Sequence, residues 1–240
     1  MVKPMSYKAL FAFAAAQDWE IEQMDVKTAF LYGDLDEEIY IEQPEKSKNG
    51  TDRICLLKKA LYGLKQSPRV WYHTLADFLR EQGLEPLTTD CSVFHLNGTL
   101  FIAIYVDDLL LFGPNMAAIR ALKRALSDRF QITDLGPVAY YLGMEVTRDR
   151  PSRTLWLGQS GYLERVLRDF GMWDCAPVGT PMDMVKLEAA DGSYVADAAV
   201  RTRYQSAVGS LMYAIIGTRP DIAYAISVVN RYGSNPTDVY

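Results

Sequence analysis

Cysteine and histidine are scarce in this sequence of 240 residues. It has three cysteines, Cys55, Cys91 and Cys175, which are odd in number and far apart, and two histidines. A disulfide framework needs paired cysteines, and a structural zinc site needs closely spaced cysteines or histidines. The spacing supports neither, and it favours a reducing compartment.

Long apolar runs are also lacking. No stretch reaches the ~18 consecutive apolar residues of a membrane-spanning helix. The apolar residues 9–16 follow Lys3 and Lys8 and superficially resemble a short signal peptide. The run is brief and continues into Gln17 and Asp18 without a turn signal. We therefore expect a buried helix here, and no membrane partner.

The sequence also lacks an excess of positive charge, since its formal net charge is −5. This balance speaks weakly against nucleic-acid binding. Locally, however, residues 53–69 carry five basic side chains and no acidic one, whereas acidic residues concentrate between 34 and 45. Two solvated faces of opposite sign are the ordinary explanation of such runs. The basic stretch becomes informative only through its position relative to the aspartates described below.

Apolar periodicity predicts an α+β chain, with strands at period two and helices at period 3.6. The predicted elements are a helix over 7–17, strands over 19–25, 38–43 and 53–58, a helix over 67–82, a meander over 91–112, a helix over 116–130, a hairpin over 140–159, and helices over 160–170, 204–216 and 220–232. We expect an antiparallel sheet with helices on one face, then a helical segment. The expected domains are 1–150 and 151–240, with a loop or linker over 175–203.

Two helix starts carry capping signals. Ser67 and Pro68 are predicted as N-cap and first helical residue, and Asn115 as the N-cap of a later helix. In that later helix, the predicted inward residues are Ile119, Leu122 and Leu126, and the predicted outward residues are Arg120, Lys123 and Arg124.

An aspartate pair lies at one tip of the predicted meander. The other tip is Asn97-Gly98, a strong hairpin signal. Asp107 and Asp108 follow the apolar residues 100–106 and precede four further apolar residues. Aspartate is common in turns, so a plain hairpin turn is one interpretation. Adjacent carboxylates repel unless a cation compensates, and this favours a functional interpretation.

Asp25 supplies a third carboxylate, at the end of another predicted strand. Mg²⁺ prefers oxygen ligands and is commonly held by one or two carboxylates together with substrate phosphates. Two such ions about 4 Å apart can activate a hydroxyl and stabilise a leaving group in phosphoryl transfer. Sequence spacing alone leaves open whether the three carboxylates meet.

Five blocks of the sequence carry a resemblance. They are QMDVKTAFL at 23–31, LYGLKQSPR at 61–69, YVDD at 105–108, YLGME at 141–145, and the pair GSLMY and TRPDIA at 209–213 and 218–223. In order and spacing these blocks resemble the reverse transcriptases of copia-type LTR retrotransposons. A YxDD match alone would be weak, but the ordered set is specific.

The resemblance implies a role for each matched residue. Asp25, Asp107 and Asp108 would be the catalytic metal ligands, joined by the backbone carbonyl of Val26. Two Mg²⁺ ions would be bound, with Mn²⁺ as a substitute. The residues implied near nucleotide or template are Phe30, Tyr62, Tyr105, Lys65 and Arg69. The residues implied to grip the primer end are Tyr141, Leu142 and Gly143.

The resemblance also implies a fold and partners. The fold would be a reverse-transcriptase palm followed by a segment like the thumb or connection. The partners would be an RNA template, a DNA or tRNA primer, dNTPs, and the RNase H and integrase segments of a parent polyprotein. The location would be cytoplasmic virus-like particles, and also the nucleus.

Departures from the family leave two alternatives open. The fingers strands that precede the first block in the family, with their triphosphate-clamping cations, are missing from this sequence. We therefore expect folding through the palm but poor polymerisation. One alternative is an inactive relic that binds nucleic acid without catalysis. Another is a different two-metal enzyme, such as an RNA-templated RNA polymerase, although Phe30 and the Tyr105 block favour dNTPs.

Overall fold

The computed structural model describes residues 1–48, 50, 53–182, 187 and 193–237. The chain forms two compact units. The first comprises Met1–Val138 and Asp149–Thr154, and the second comprises Ala139–Arg148 and Leu155–Tyr240. Apart from residues 149–154, the first unit therefore ends at residue 138. The sequence patterns instead predict the boundary between the two domains at residue 150.

The first unit is built on a six-stranded antiparallel sheet with the order β4-β5-β6-β7-β1-β8. Its elements are α1 (Pro4–Gln17), β1 (Glu20–Val26), β2 (Tyr40–Glu42), β3 (Ile54–Leu56), α2 (Ser67–Glu81), β4 (Glu85–Pro86), β5 (Val93–Leu96), β6 (Leu100–Tyr105), β7 (Asp108–Gly113), α3 (Met116–Arg129) and β8 (Ile132–Pro137). Strands β2 and β3 form a separate hairpin. The predicted α+β class is confirmed.

Helices cover both faces of this sheet, and the expectation of one covered face is wrong. Neighbouring residues of a strand point to opposite faces. Leu111 of β7 belongs to the apolar cluster that includes residues of α2 and α3. Phe112, the next residue, packs edge-on against Phe11 of α1, with ring centroids 5.7 Å apart. Strand β7 is therefore buried on both sides, which explains its continuous apolar sequence.

The meander is confirmed, with a correction at its functional tip. Asn97 and Gly98 both have positive φ, as the predicted two-residue turn requires. At the other tip the turn residues are Val106 and Asp107. Asp108 is already the first residue of β7 and pairs with Tyr105. The Asp-Asp pair therefore straddles the end of a strand and does not form the turn itself.

Two predicted details of the helices are wrong. Ser67 is not an N-cap but the first residue of α2, and its hydroxyl donates to the carbonyl of Leu61 at 2.6 Å. Lys123 does not point outward, since only 6% of its surface is exposed to solvent. The Asn115 cap is confirmed, since its side-chain oxygen accepts hydrogen bonds from the backbone N–H groups of Ala117 and Ala118.

The second unit contains a three-stranded sheet with the order β11-β10-β9, and three helices. Its elements are β9 (Tyr140–Tyr141), β10 (Met144–Asp149), β11 (Thr154–Gly158), α4 (Ser160–Asp169), α5 (Ala198–Gly217) and α6 (Ala223–Asn230). The tip of the β10–β11 hairpin, residues 149–154, belongs to the first unit. The first half of the hairpin predicted over 140–159 is in fact two strands, β9 and β10, because the chain turns at Leu142 and Gly143.

Helix α5 begins earlier than predicted. Asp197 caps it by accepting a hydrogen bond from the Ala199 N–H, so residues 198–203 are helical and not part of a linker. Residues 183–186 and 188–192 of the predicted linker lie outside the described residues. Within the described ranges, no helix combines the length and apolar character that a membrane crossing requires.

A buried ionic cluster explains why Lys123 faces inward. Its ammonium group lies 2.5 Å from carboxylate oxygens of both Glu22 on β1 and Asp134 on β8. The Glu22 side chain is 8% exposed, whereas that of Asp134 is 53% exposed. A buried charge is tolerated only when it is paired, so these contacts hold α3 against β1.

We expect Lys123→Met to lower the free energy of unfolding by about 3–5 kcal/mol, because it leaves the buried Glu22 carboxylate without its partner. Urea unfolding followed by circular dichroism measures this loss. A second change, Glu22→Leu, should restore most of the stability. The control is Arg120→Met, an exposed position on the same helix, with an expected change within about 0.5 kcal/mol. Equal effects at the two positions would show that the buried pairing is not stabilising.

Candidate active site

Strand pairing brings the predicted carboxylates to one end of the central sheet. Asp25 on β1 is the register partner of Asp108 on β7. The Asp107 carbonyl accepts a hydrogen bond from the Val26 N–H at 2.9 Å. Asp25, Asp107 and Asp108 are each partly exposed, and Val26 is buried. The backbone therefore places Asp25 beside Asp107 and Asp108, although it is more than 80 residues from them in sequence.

The turn before Asp108 has an unusual backbone that a buried tryptophan supports. Val106 has φ of 57°, in the left-handed region that β-branched residues avoid. The indole N–H of Trp71 donates to the Val106 carbonyl at 2.7 Å, and Trp71 is 1% exposed. Helix α2 thus fixes the orientation of the peptide that precedes both aspartates.

A glutamine neighbour orients Asp108. The side-chain amide of Gln23 donates to Oδ1 of Asp108 at 3.2 Å. Burial raises the pKa of Asp108, the charges of Asp107 and Asp25 raise it further, and the bond from Gln23 acts in the opposite direction. Residue 23 shares a strand face with residue 25. Gln23 therefore stabilises a carboxylate that its neighbours repel.

Tyr62 contacts the site from the segment before α2. Its hydroxyl donates to Oδ2 of Asp107 at 3.3 Å. Burial raises the pKa of Tyr62, and so do the charge of Asp107, the hydrogen bond to it, and the charge of Asp25. The Tyr62 ring packs against Phe30 with centroids 4.5 Å apart. Phe30 is 7% exposed and belongs to the apolar core, so it is both a core residue and a wall of the site.

The donor set fits a divalent cation that takes further ligands from its substrate. Among the described residues, no group of three or more His, Cys, Asp or Glu side chains is arranged to hold a metal ion. As a set of metal ligands, Asp25, Asp107 and Asp108 therefore stay a prediction. Asp107 is engaged by Tyr62 and Asp108 by Gln23. Paired aspartate oxygens completed by phosphates and water are nevertheless the usual ligands of Mg²⁺.

The remaining predicted residues of the first unit lie around this end of the sheet and along α2. Tyr105 is partly exposed and is the register partner of Asp108. Lys65 is exposed two residues before α2, and Arg69 is exposed in its first turn. Arg69 lines a cleft of about 550 Å³ whose walls also carry four carboxylates, those of Asp34, Asp36, Glu37 and Asp77. The surface around Arg69, at the end of the basic stretch 53–69, is therefore of mixed charge.

The predicted primer-binding residues form a turn in the second unit. Tyr141 on β9 pairs with Met144 on β10, and Tyr141 is fully buried. Leu142 and Gly143 connect the two strands, and both have positive φ. The three residues are adjacent in one tight hairpin, and the buried Tyr141 ring anchors it.

Sequence reasoning missed Gln23 and Trp71 as parts of the site. Gln23 is a buried polar residue two positions before Asp25, so its shared strand face was the available signal. Trp71 lies within the helix predicted over 67–82, and the sequence gives it no role beyond that helix. No sequence signal links it to Val106, because the hydrogen bond joins residues 35 positions apart.

Comparison with known proteins identifies the family. Residues 1–184 match the model of the family described as reverse transcriptase (RNA-dependent DNA polymerase). The chain is 44% identical to the retrovirus-related Pol polyprotein from transposon TNT 1-94 of Nicotiana tabacum, and 36% and 35% identical to those from transposons RE2 and RE1 of Arabidopsis thaliana. These alignments cover 98–99% of this chain but only 16–18% of the relatives. The chain therefore belongs to the reverse transcriptase family, and corresponds to the reverse-transcriptase part of a copia-type retrotransposon Pol polyprotein.

Proposed function

We propose that this chain is the palm-centred core of an RNA-directed DNA polymerase, which adds dNTPs to a DNA or tRNA primer on an RNA template. The observation that carries the proposal is the register pairing of Asp25 with Asp108, beside the turn that presents Asp107. Carboxylates at the ends of adjacent strands can bind cations that bridge a primer and a triphosphate.

In this mechanism the aspartates bind metal and their neighbours orient them. Asp25, Asp107 and Asp108, with the Val26 carbonyl, would hold two Mg²⁺ ions. Bound ions of this kind activate the primer 3′-hydroxyl and stabilise the leaving pyrophosphate. Gln23 keeps one oxygen of Asp108 oriented by its hydrogen bond. Tyr62 donates a hydrogen bond to Oδ2 of Asp107, and the remaining lone-pair sites of that carboxylate would be left for a metal ion.

Phe30 and Tyr62 provide the steric basis of sugar selection. Their packed rings lie beside Asp107, and Phe30 is held in the core by its burial. A rigid ring beneath C2′ of an incoming nucleotide excludes a ribose hydroxyl because the pocket cannot relax around it. Lys65, exposed just before α2, and Arg69, exposed in its first turn, would contribute to template binding through phosphate contacts.

Further parts of the proposal concern the parent protein. The relatives are Pol polyproteins of which this chain spans less than a fifth. We infer that RNase H and integrase segments accompany this one, and that the polymerase acts in cytoplasmic virus-like particles and in the nucleus. The alternative is a relic that binds nucleic acid without catalysis.

The central test is Asp107→Asn in a primer-extension assay on an RNA template with Mg²⁺. We expect extension to fall about 100-fold or more, because a lost metal ligand removes several kcal/mol of transition-state stabilisation. Thermal unfolding should be unchanged or improved, since one of three repelling charges is removed. The control is Asp128→Asn, at an exposed position on α3. If neither the folded 240-residue chain nor a version extended upstream by its native reading frame incorporates dNTPs, the relic alternative is supported instead.

Sugar selection is tested by Phe30→Ala, with dNTP and rNTP incorporation measured as a ratio of kcat/KM values. We expect the preference for dNTPs to fall by about 10–100-fold, the range typical of steric discrimination in an apolar pocket. The ratio is insensitive to the fraction of folded protein, which matters because Phe30 is buried. Tyr62→Phe is the matched control, since it keeps the ring and removes only the hydroxyl. An unchanged ratio in Phe30→Ala would assign Phe30 to the core alone.

A further inference from the structure

The turn between β9 and β10 has a backbone that its own sequence does not favour. Leu142 has φ of 47° and Gly143 has φ of 75°. Glycine adopts this conformation freely, but leucine does so at a cost of about 1–2 kcal/mol. A leucine at the first position of such a turn therefore needs support from elsewhere in the second unit.

Tyr213 of α5 supplies that support. Its hydroxyl donates to the Leu142 carbonyl at 2.5 Å. The same hydroxyl oxygen would lie 2.6 Å from a Cβ atom added to Gly143, which is too close for any real side chain. Residue 143 must therefore be glycine for two reasons, its positive φ and the space that the Tyr213 hydroxyl occupies.

The Tyr213 side chain is in turn held by α4. Its ring packs edge-on against Tyr162, with centroids 4.7 Å apart. The Tyr162 hydroxyl donates to the Ser210 carbonyl of α5 at 2.8 Å. Two helices thus fix the direction of the Tyr213 hydroxyl, and it approaches the turn as a pre-oriented donor.

We propose that Tyr213 is a positioning residue for primer binding, acting through the Leu142-Gly143 turn. The inference rests on the proposed function, which assigns this turn to the primer end. A side chain at residue 143 would hinder a phosphate, so glycine lets the backbone approach the strand closely. Tyr213 keeps that backbone in its unfavoured conformation before the primer arrives. The proposal gives a role to the GSLMY block, which the polymerase mechanism leaves without one.

The first test is Tyr213→Phe in the 240-residue chain. The probe is a fluorescent DNA primer annealed to an RNA template, and its binding is measured by anisotropy without dNTPs. We expect Kd to rise about 5–10-fold, as for the loss of one ordering hydrogen bond. Binding of the single-stranded RNA template alone should not change. A purely structural role would weaken both in proportion. The control is Tyr224→Phe, at a tyrosine that is 74% exposed on α6.

A second test introduces Gly143→Ala both in the unaltered chain and together with Tyr213→Phe. In the unaltered chain, the new Cβ meets the Tyr213 hydroxyl oxygen. Once Tyr213→Phe removes that oxygen, the next ring atom lies at an ordinary 3.7 Å, so only the backbone strain remains. We therefore expect the double variant to lose less primer–template affinity than the product of the two single losses. Strictly multiplicative losses would contradict a shared action on the turn.

The outcomes separate this inference from the proposed function. If neither the unaltered chain nor a version extended upstream by its native reading frame incorporates dNTPs, but Tyr213→Phe still weakens primer–template binding selectively, the positioning role stands and the polymerase proposal fails. If the chain extends primers and Tyr213→Phe binds them as the unaltered chain does, the positioning role is overturned. Absence of any preference for primer–template over template alone in the unaltered chain also overturns it.

Discussion

The hydrogen-bond register between β1 and β7 is the constraint on which the candidate active site depends. It sets Asp25 opposite Asp108 and joins the Val26 N–H to the Asp107 carbonyl. A slip of one residue would move one of the paired aspartates to the opposite face of the sheet. Such a slip would also exchange the β7 side chains that face α1 with those that face α2 and α3, and so disrupt the packing on both faces of the strand. Core packing and carboxylate alignment are thus enforced by the same pairing.

Negative charge at the end of a buried sheet is unfavourable, and the surrounding side chains offset it. Gln23 and Tyr62 each donate a hydrogen bond to one of the aspartates. Trp71 donates a hydrogen bond to the Val106 carbonyl, so the turn keeps its shape although Val106 has a left-handed backbone conformation. On the same strand β1, Glu22 is neutralised by Lys123. Each of these polar groups near the central strands therefore has a specific partner, as burial requires.

In the second unit, the turn between β9 and β10 is supported by the same kind of hydrogen bond as the Val106 turn. A residue in a left-handed conformation, Leu142, has its carbonyl bound by an aromatic side chain of a neighbouring helix, Tyr213. In the first unit Val106 and Trp71 have the same relation. In both places a sequence block of the family contains the strained residue, and its support comes from a helix distant in sequence. This parallel suggests that both turns are held in shape before any ligand binds.

The sequence by itself determined the family, the α+β class, the meander with its Asn97-Gly98 turn and the Asn115 cap. These features depend on local patterns, such as apolar periodicity, turn chemistry and ordered motif blocks. Only the tertiary structure decided that helices cover both sheet faces, that Lys123 faces inward, and that Tyr62, Gln23 and Trp71 hold the aspartates. Each of these outcomes depends on a contact between residues far apart in sequence. Local propensity carries no information about such contacts, because their energy appears only when the strands and helices pack together.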